Sequence, residues 1–170
     1  ASEKRNSSIA PVLKPSGARS TIADGFVSLS GSEIIDLEAT ERFRILRAQI
    51  ERQGLSGRDF QVLAVTSAVP GEGKSVVAVN LARACGMDPR GRSLLIDCDL
   101  RKSNDHRFFA QAQSPGLSDV LIAGKPLRSV MRAVEPGLDL ITAGSPVVDS
   151  TRTLDQPGFI LMLEELRKHY

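Results

Sequence analysis

Residues 61–75, QVLAVTSAVPGEGKS, organise the rest of the chain. Val62, Leu63, Ala64 and Val65 form an apolar, β-branched run that predicts a buried strand. The run breaks at Pro70-Gly71, and after Gly73-Lys74-Ser75 the sequence turns helical. Strand, glycine-rich loop and helix, in that order, form the frame of a phosphate-binding loop. Gly71 and Gly73 let backbone N–H groups curl around a phosphate without a Cβ in the way. The helix N-terminus adds unpaired donors and the positive end of a dipole. Pro70, Gly71, Glu72, Gly73, Lys74, Ser75 and Val76 are the expected contacts. Lysine in this motif reaches the terminal phosphates and the hydroxyl ligates Mg²⁺, roles that fall to Lys74 and Ser75. Ala68 stands where the G-x-x-x-x-G-K-[ST] spacing has its first glycine, so the match is to a relaxed form. An ordinary Gly-Pro turn followed by lysine lacks the strand before and the helix after. The stretch predicts a nucleoside triphosphate site.

The totals fit one domain with a real core: 170 residues, 41% hydrophobic and 25% charged. A net charge of +2 and an aromatic content of 4% leave neither a nucleic-acid footprint nor a base-stacking platform. No apolar run reaches the length of a membrane span, and no signal peptide is visible. Cys85 and Cys98 lack metal-ligand spacing and are expected to be reduced residues of a cytosolic domain. Residues 1–31 are rich in Ser, Lys, Arg, Pro and Gly and are expected to be a flexible linker. Residues 32–170 are expected to form the P-loop domain.

A helix is expected from Ile35 to Gln53, stopped by Gly54. Ala39, Phe43, Leu46 and Ile50 share a narrow apolar face, with Glu41 opposite and Arg44 and Arg47 beside it. On chemistry alone these charges read as a solvated face with a local Glu41–Arg44 pair. Val76 to Met87 reads as the helix of the phosphate loop, followed by a turn at residues 88–91. Ser93 to Asp97 reads as a second buried strand, ending in Asp97-Cys98-Asp99-Leu100-Arg101. Ligands of parallel α/β sheets sit beyond the carboxyl ends of strands, so the loop and the two aspartates are expected at one edge. Asp97 and Asp99 supply the hard oxygens that Mg²⁺ prefers, and one of them could accept a proton from an attacking hydroxyl. Their i, i+2 spacing points them the same way only while the strand stays extended. An aspartate-rich strand end is common in turns; with a phosphate loop one βαβ unit upstream, the functional reading prevails.

TSAVPGEGKS followed by LLIDCDLRKS resembles the Walker A and Walker A′ motifs of bacterial tyrosine kinases, the P-loop kinases attached to polysaccharide co-polymerases of capsule and exopolysaccharide export. Glu41-x-x-Arg44-x-x-Arg47 resembles that family's E-x-x-R-x-x-R signature, associated with ring-like self-assembly. Residues 116–121 (GLSDVL) and 138–144 (LDLITAG) are also similar to family segments. The resemblance implies a P-loop NTPase fold of the MinD/ParA-like type, a mostly parallel α/β sheet with helices on both faces. It implies ATP and Mg²⁺ as cofactors, with Lys74, Asp97 and Asp99 catalytic and Ser75, Asp97 and Asp99 on the metal. Glu41, Arg44 and Arg47 would carry self-association. The implied partner is a transmembrane co-polymerase domain, fused or separate, at the cytoplasmic face of the bacterial inner membrane. The implied activity is tyrosine autophosphorylation that regulates polysaccharide polymerisation and export. A nucleotide-switched assembly module without kinase activity is the alternative. Partitioning ATPases of the ParA/MinD type share the fold but carry a second lysine early in the loop, where this chain has Ala68-Val69-Pro70.

Further on, a short helix with Phe108 and Phe109 inward is expected within residues 101–113, and His106 reads as structural. Leu117 to Ala123 reads as a helix closed by Gly124, Leu127 to Val134 as a short apolar segment, and Leu138 to Thr142 as a third strand. The loop at residues 143–146 could approach the nucleotide, although Val147 to Arg152 departs from the family pattern there. Phe159 to Arg167 is an amphipathic helix with Phe159, Leu163 and Leu166 inward. Relatives continue with a strand ending in the Walker B aspartate and with a tyrosine-rich tail. The sequence ends at Tyr170, its only tyrosine, so the fold is expected to be incomplete at the C-terminus with an unpaired sheet edge.

Overall fold

The computed structural model describes residues 37–54, 62–89 and 91–170. The expected linker at 1–31 lies outside them, as do Ile35 and Asp36. Helix α1 (Leu37–Gly54) follows the expected pattern: Ala39, Phe43, Leu46 and Ile50 are half-buried, while Glu41, Arg42, Arg44 and Ile45 are exposed. It packs on helix α2 (Lys74–Gly86), which buries Val79, Leu81 and Ala84.

Strands β1 (Ser93–Ile96), β2 (Met131–Glu135) and β3 (Leu138–Ile141) form a sheet of order β1-β3-β2. β1 runs parallel to β3, in register from Ser93↔Leu138 to Ile96↔Ile141. β2 is antiparallel to β3, with a register shift between Ala133 and Glu135. The apolar segment expected at residues 127–134 thus contains a strand, and Pro136-Gly137 closes it onto β3 as a hairpin. Gly137 is fixed twice over. Its φ is +78°, and a Cβ there would stand 2.1 Å from the Gly86 carbonyl oxygen at the end of α2.

Side chains of the sheet alternate between its two faces. Leu95, Leu138 and Leu140 join Val79 of α2 in one core cluster, onto which Phe108 and Phe109 pack from a 3₁₀ turn at Asp105–Phe109. Ile141 joins Leu100, Leu117, Val130, Ala143, Met162 and Leu166 in the other. That second face is covered by α3 (Leu117–Ala123) and α5 (Pro157–Leu166), so helices lie on both sides of the sheet. Gly124 ends α3 at φ +66°. Helix α4 (Ser150–Leu154), not anticipated from sequence, is capped by Asp149, whose Oδ1 accepts from the Arg152 N–H at 2.9 Å. Tyr170 is fastened to the fold: its hydroxyl donates to Asp139 Oδ2, a buried carboxylate of β3 that also takes the Arg92 guanidinium. Burial, and then Asp139, raise the Tyr170 phenol above its ordinary pKa.

The expected buried strand at Val62–Val65 is a correction. Residues 62–67 form no ladder, and Val62 and Leu63 are 48% and 54% exposed. A β-branched run becomes a buried strand only when neighbours pair its backbone and cover both faces. Among the described residues no strand pairs with 62–65, and β1 stands at an edge of the sheet. Propensity alone brings neither pairing nor burial.

Candidate nucleotide site

The phosphate loop joins residues 62–67 to α2. Gly71 and Gly73 hold φ of +88° and +89°, a region open to glycine at little steric cost, and nothing stands within 4 Å of where a Cβ would be. Gly73 is the N-cap of α2, with no side chain bonded to the helix end, so the first-turn donors carry no side-chain cap. The loop is braced from within: Glu72 Oε2 accepts the Val69 N–H at 3.2 Å, and Ser67 Oγ donates to the Val69 carbonyl at 3.2 Å.

Past β1 the chain turns immediately, and the two aspartates part company. Asp97 is 3% exposed. Its Oδ1 accepts the Asp99 N–H at 2.9 Å, and its Oδ2 accepts the Ser103 hydroxyl at 2.6 Å and the Asp105 N–H at 3.3 Å. Asp97 thereby shapes the loop from 97 to 105. Asp99 faces the cleft: its Oδ2 lies 3.0 Å from Lys74 Nζ, and its Oδ1 accepts the Lys102 N–H at 2.9 Å. Burial alone would raise the Asp99 carboxyl; the Lys102 N–H and the Lys74 ammonium outweigh it and hold the group below its usual range.

A cleft of about 440 Å³ opens at this edge, lined by residues 66–71 with Lys74, Asp99, Arg101, Lys102 and Asn104. Thus Pro70, Gly71, Lys74 and Asp99 meet there as expected. Arg101, Lys102 and Asn104 were not singled out from sequence. The signal was available, since they follow the aspartates on the loop beyond a strand's carboxyl end. Asp105 was missed for a different reason. It is 6% exposed, in the 3₁₀ turn that packs against α2. Burial, with Asp97 next, pushes its carboxyl up to about 6 against the opposing pull of Ser75 and Lys74. No spacing rule links residues 75 and 105; only the packing of the 3₁₀ turn against α2 does.

His106 Nδ1 lies 3.2 Å from Ser103 Oγ, and the residue does not line the cleft. The loop at 143–146 is tied to α3 rather than to the cleft: the Ser145 N–H and hydroxyl donate to Asp119, and Ser118 Oγ donates to the Ser145 carbonyl at 2.6 Å. The charges of α1 divide. Glu41 and Arg44 pair with each other at 3.4 Å, both about 60% exposed. Arg47, 18% exposed, turns inward to Asp88 and to the Ala84 carbonyl at the end of α2, while its Nε bonds Glu51 at 2.7 Å.

The oxygens present suit Mg²⁺. Ser75 follows Lys74 at the start of α2, Asp99 lines the cleft, and among the described residues no group of three or more His, Cys, Asp or Glu forms a closed metal cage. Mg²⁺ takes few protein ligands, keeping water and substrate oxygens for the rest. Ser75 and Asp99 are the residues that would hold it, with Asp97 acting through the loop it organises.

No protein-family model matches the chain. Individual proteins do. The tyrosine-protein kinase YwqD of Bacillus subtilis is 37% identical over 106 residues, 62% of this chain and 44% of that protein. The tyrosine-protein kinase CpsD of Streptococcus pneumoniae is 32% identical over 135 residues, 78% of this chain and 58% of that protein. Among solved structures, the BceF tyrosine kinase domain superposes with a TM-score of 0.69 at 32% identity, over 79% of this chain and 52% of that one. The chain spans less than two thirds of each, and as little as 18% of some longer relatives.

Proposed function

We propose, on the premise that this chain belongs to the bacterial tyrosine-kinase family, that the protein carrying it transfers the γ-phosphoryl group of ATP to tyrosine hydroxyls. The observation that carries this reading is the meeting of two sequence-distant motifs in one cleft, Lys74 of the phosphate loop against Asp99 of the strand-end motif. The loop amides and Lys74 receive the phosphates, and Arg101 and Lys102 add positive charge at the rim. Mg²⁺, when bound, neutralises phosphate charge as the transition state forms. The acceptor phenol oxygen bonds to the γ-phosphorus, the bond to the bridging oxygen breaks, and ADP departs. Asp99, released from Lys74 by the incoming phosphates, takes the phenol proton. The protein's part is positioning and charge complementarity, since phosphoryl transfer leaves it little covalent work.

On the family resemblance, the acceptors are tyrosines of neighbouring subunits, and the reaction regulates capsule or exopolysaccharide polymerisation and export. The partner is a transmembrane co-polymerase domain at the cytoplasmic face of the bacterial inner membrane. No helix among the described residues is long and apolar enough to cross a membrane. The exposed Glu41–Arg44 pair is the part of α1 available to a second subunit. Phosphotyrosine formed with Mg·ATP by the full-length protein and absent in Lys74→Met supports the kinase. Nucleotide binding without phosphotyrosine in the wild type rules it out.

One observation favours a second reading, a nucleotide-driven assembly switch. Arg47 ties α1 to the far end of the helix whose N-terminus meets the nucleotide. A change in sedimentation with ATP, unaccompanied by phosphotyrosine, selects that reading.

A further inference from the structure

The backbone of Asp97 is fixed to the sheet, its N–H donating to the Ile141 carbonyl at 2.9 Å. Rotation of its buried carboxylate is left to the donors around it. Oδ2 accepts the Ser103 hydroxyl at 2.6 Å and the Asp105 N–H at 3.3 Å, which engages both of its lone pairs. Ser103 Oγ also lies 3.2 Å from His106 Nδ1. A serine hydroxyl has a single proton to donate. Short O–H···O⁻ bonds to a carboxylate are the strong ones, so that proton is committed to Asp97. Ser103 can then meet His106 only as an acceptor, and His106 Nδ1 must carry a hydrogen. The contacts run one way, from His106 Nδ1–H to Ser103 Oγ–H to Asp97 Oδ2. Neither Ser103 nor His106 lines the cleft. The carboxylate they orient presents its other oxygen, Oδ1, to the Asp99 N–H at 2.9 Å, and Asp99 faces Lys74 at 3.0 Å.

We propose that Ser103 and His106 are positioning residues for the nucleotide site: as a directed hydrogen-bond relay they turn the Asp97 carboxylate so that it holds Asp99 opposite Lys74. Both act through Asp97, and neither touches nucleotide or metal. The inference rests on the nucleotide-site reading above and concerns the acidic half of that site.

The test separates the two nitrogens of the imidazole. An asparagine amide takes the place of Nδ1 and a glutamine amide that of Nε2, so His106→Asn keeps the donor to Ser103 and His106→Gln removes it. ADP affinity with Mg²⁺ and with EDTA, phosphotyrosine formation and melting temperature are measured on the full-length protein. Ser103→Ala and His106→Gln are expected to shrink the Mg²⁺ gain in ADP affinity, and phosphotyrosine formation with it, by about tenfold, the usual scale for losing a partner that orients a ligand. Affinity in EDTA is expected to be kept or tightened, because Lys74 is no longer held by Asp99. Ser103→Thr and His106→Asn, which keep the hydroxyl and the donor, are expected to retain most of the Mg²⁺ gain. Equal behaviour of His106→Asn and His106→Gln overturns the relay, and this comparison decides if Ser103→Ala does not fold. An unchanged Mg²⁺ gain in folded Ser103→Ala overturns it too. So does a parallel fall of affinity with and without Mg²⁺ at a lower melting temperature, which marks fold support alone. A wild type that binds Mg·ADP without forming phosphotyrosine fails the kinase reading, and the Mg²⁺ gain then decides this inference by itself. A wild type that binds no ADP under either condition removes the nucleotide site, and this inference with it.

Discussion

Lys74 Nζ lies 3.0 Å from Asp99 Oδ2, so the cation proposed to receive phosphate is already held by a carboxylate of the other motif. On the proposed reading, nucleotide binding would begin with an exchange of partners at Lys74. The pair is partly exposed, at 36% and 26% of the two side chains, and such pairs contribute about 0.2–1 kcal/mol. Asp99→Asn should free Lys74 and tighten ADP binding in EDTA by up to about fivefold. The same variant should lose Mg²⁺-dependent binding and phosphotyrosine formation. Titration of ADP with and without Mg²⁺ reads both changes. Weaker binding in EDTA would show that Lys74 does not compete between Asp99 and phosphate.

Arg44 and Arg47 belong to one sequence signature but face different ways. Arg47→Ala removes a half-buried guanidinium from Asp88, Glu51 and the Ala84 carbonyl. We expect it to destabilise the chain by about 1–3 kcal/mol, the range for hydrogen bonds to charged groups. Arg44→Ala should fall within about 0.5 kcal/mol of wild type. Denaturant midpoints check both. Equal midpoints would mean that Arg47 does not join α1 to α2.

Asp119 carries a pH prediction. Burial alone would raise its carboxyl; hydrogen bonds from the Gly116 N–H, the Ser145 hydroxyl and N–H and the Ser114 hydroxyl prevail and lower it. A folded pKa below the unfolded value adds stability that is present above the unfolded pKa, about 3.9, and is lost as pH falls through the folded one. The melting temperature of wild type should decline on acidification below about pH 4. Asp119→Asn should start lower and lose less over the same interval. A parallel decline in the two proteins would rule the carboxylate out as a source of the acid limb.

Gly137→Ala tests the contact between the β2–β3 hairpin and α2. The new Cβ would meet the Gly86 carbonyl oxygen at 2.1 Å while the residue holds φ +78°. Both partners are backbone, so relief requires moving a hairpin or a helix end. A loss of more than about 1 kcal/mol is expected. A substitution without effect on the melting temperature would show that the two elements do not meet so closely.

Much of the fold was legible because it rests on local patterns. The 3.6-residue spacing of Ala39, Phe43, Leu46 and Ile50, the run from Ser93, the Leu117–Gly124 helix with its glycine stop and the amphipathic α5 all reappear in place. The phosphate loop was legible for the same reason, since its glycines and the helix after it are neighbours in sequence. Val62–Val65 went the other way: its residues favour a buried strand, but burial depends on partners elsewhere in the chain.

Residue type and order were enough to establish the phosphate loop, the acidic strand end and the family they resemble. They could not tell Asp97, buried as the brace of its loop, from Asp99, turned to Lys74, because two residues of spacing decide orientation only while a strand continues. Nor could they tell Arg44, exposed, from Arg47, held by α2, or bring the turn of Asp105 against α2. Each of these outcomes depends on which distant backbone packs alongside, and hydrogen-bond geometry is satisfied in space, without regard to distance along the chain.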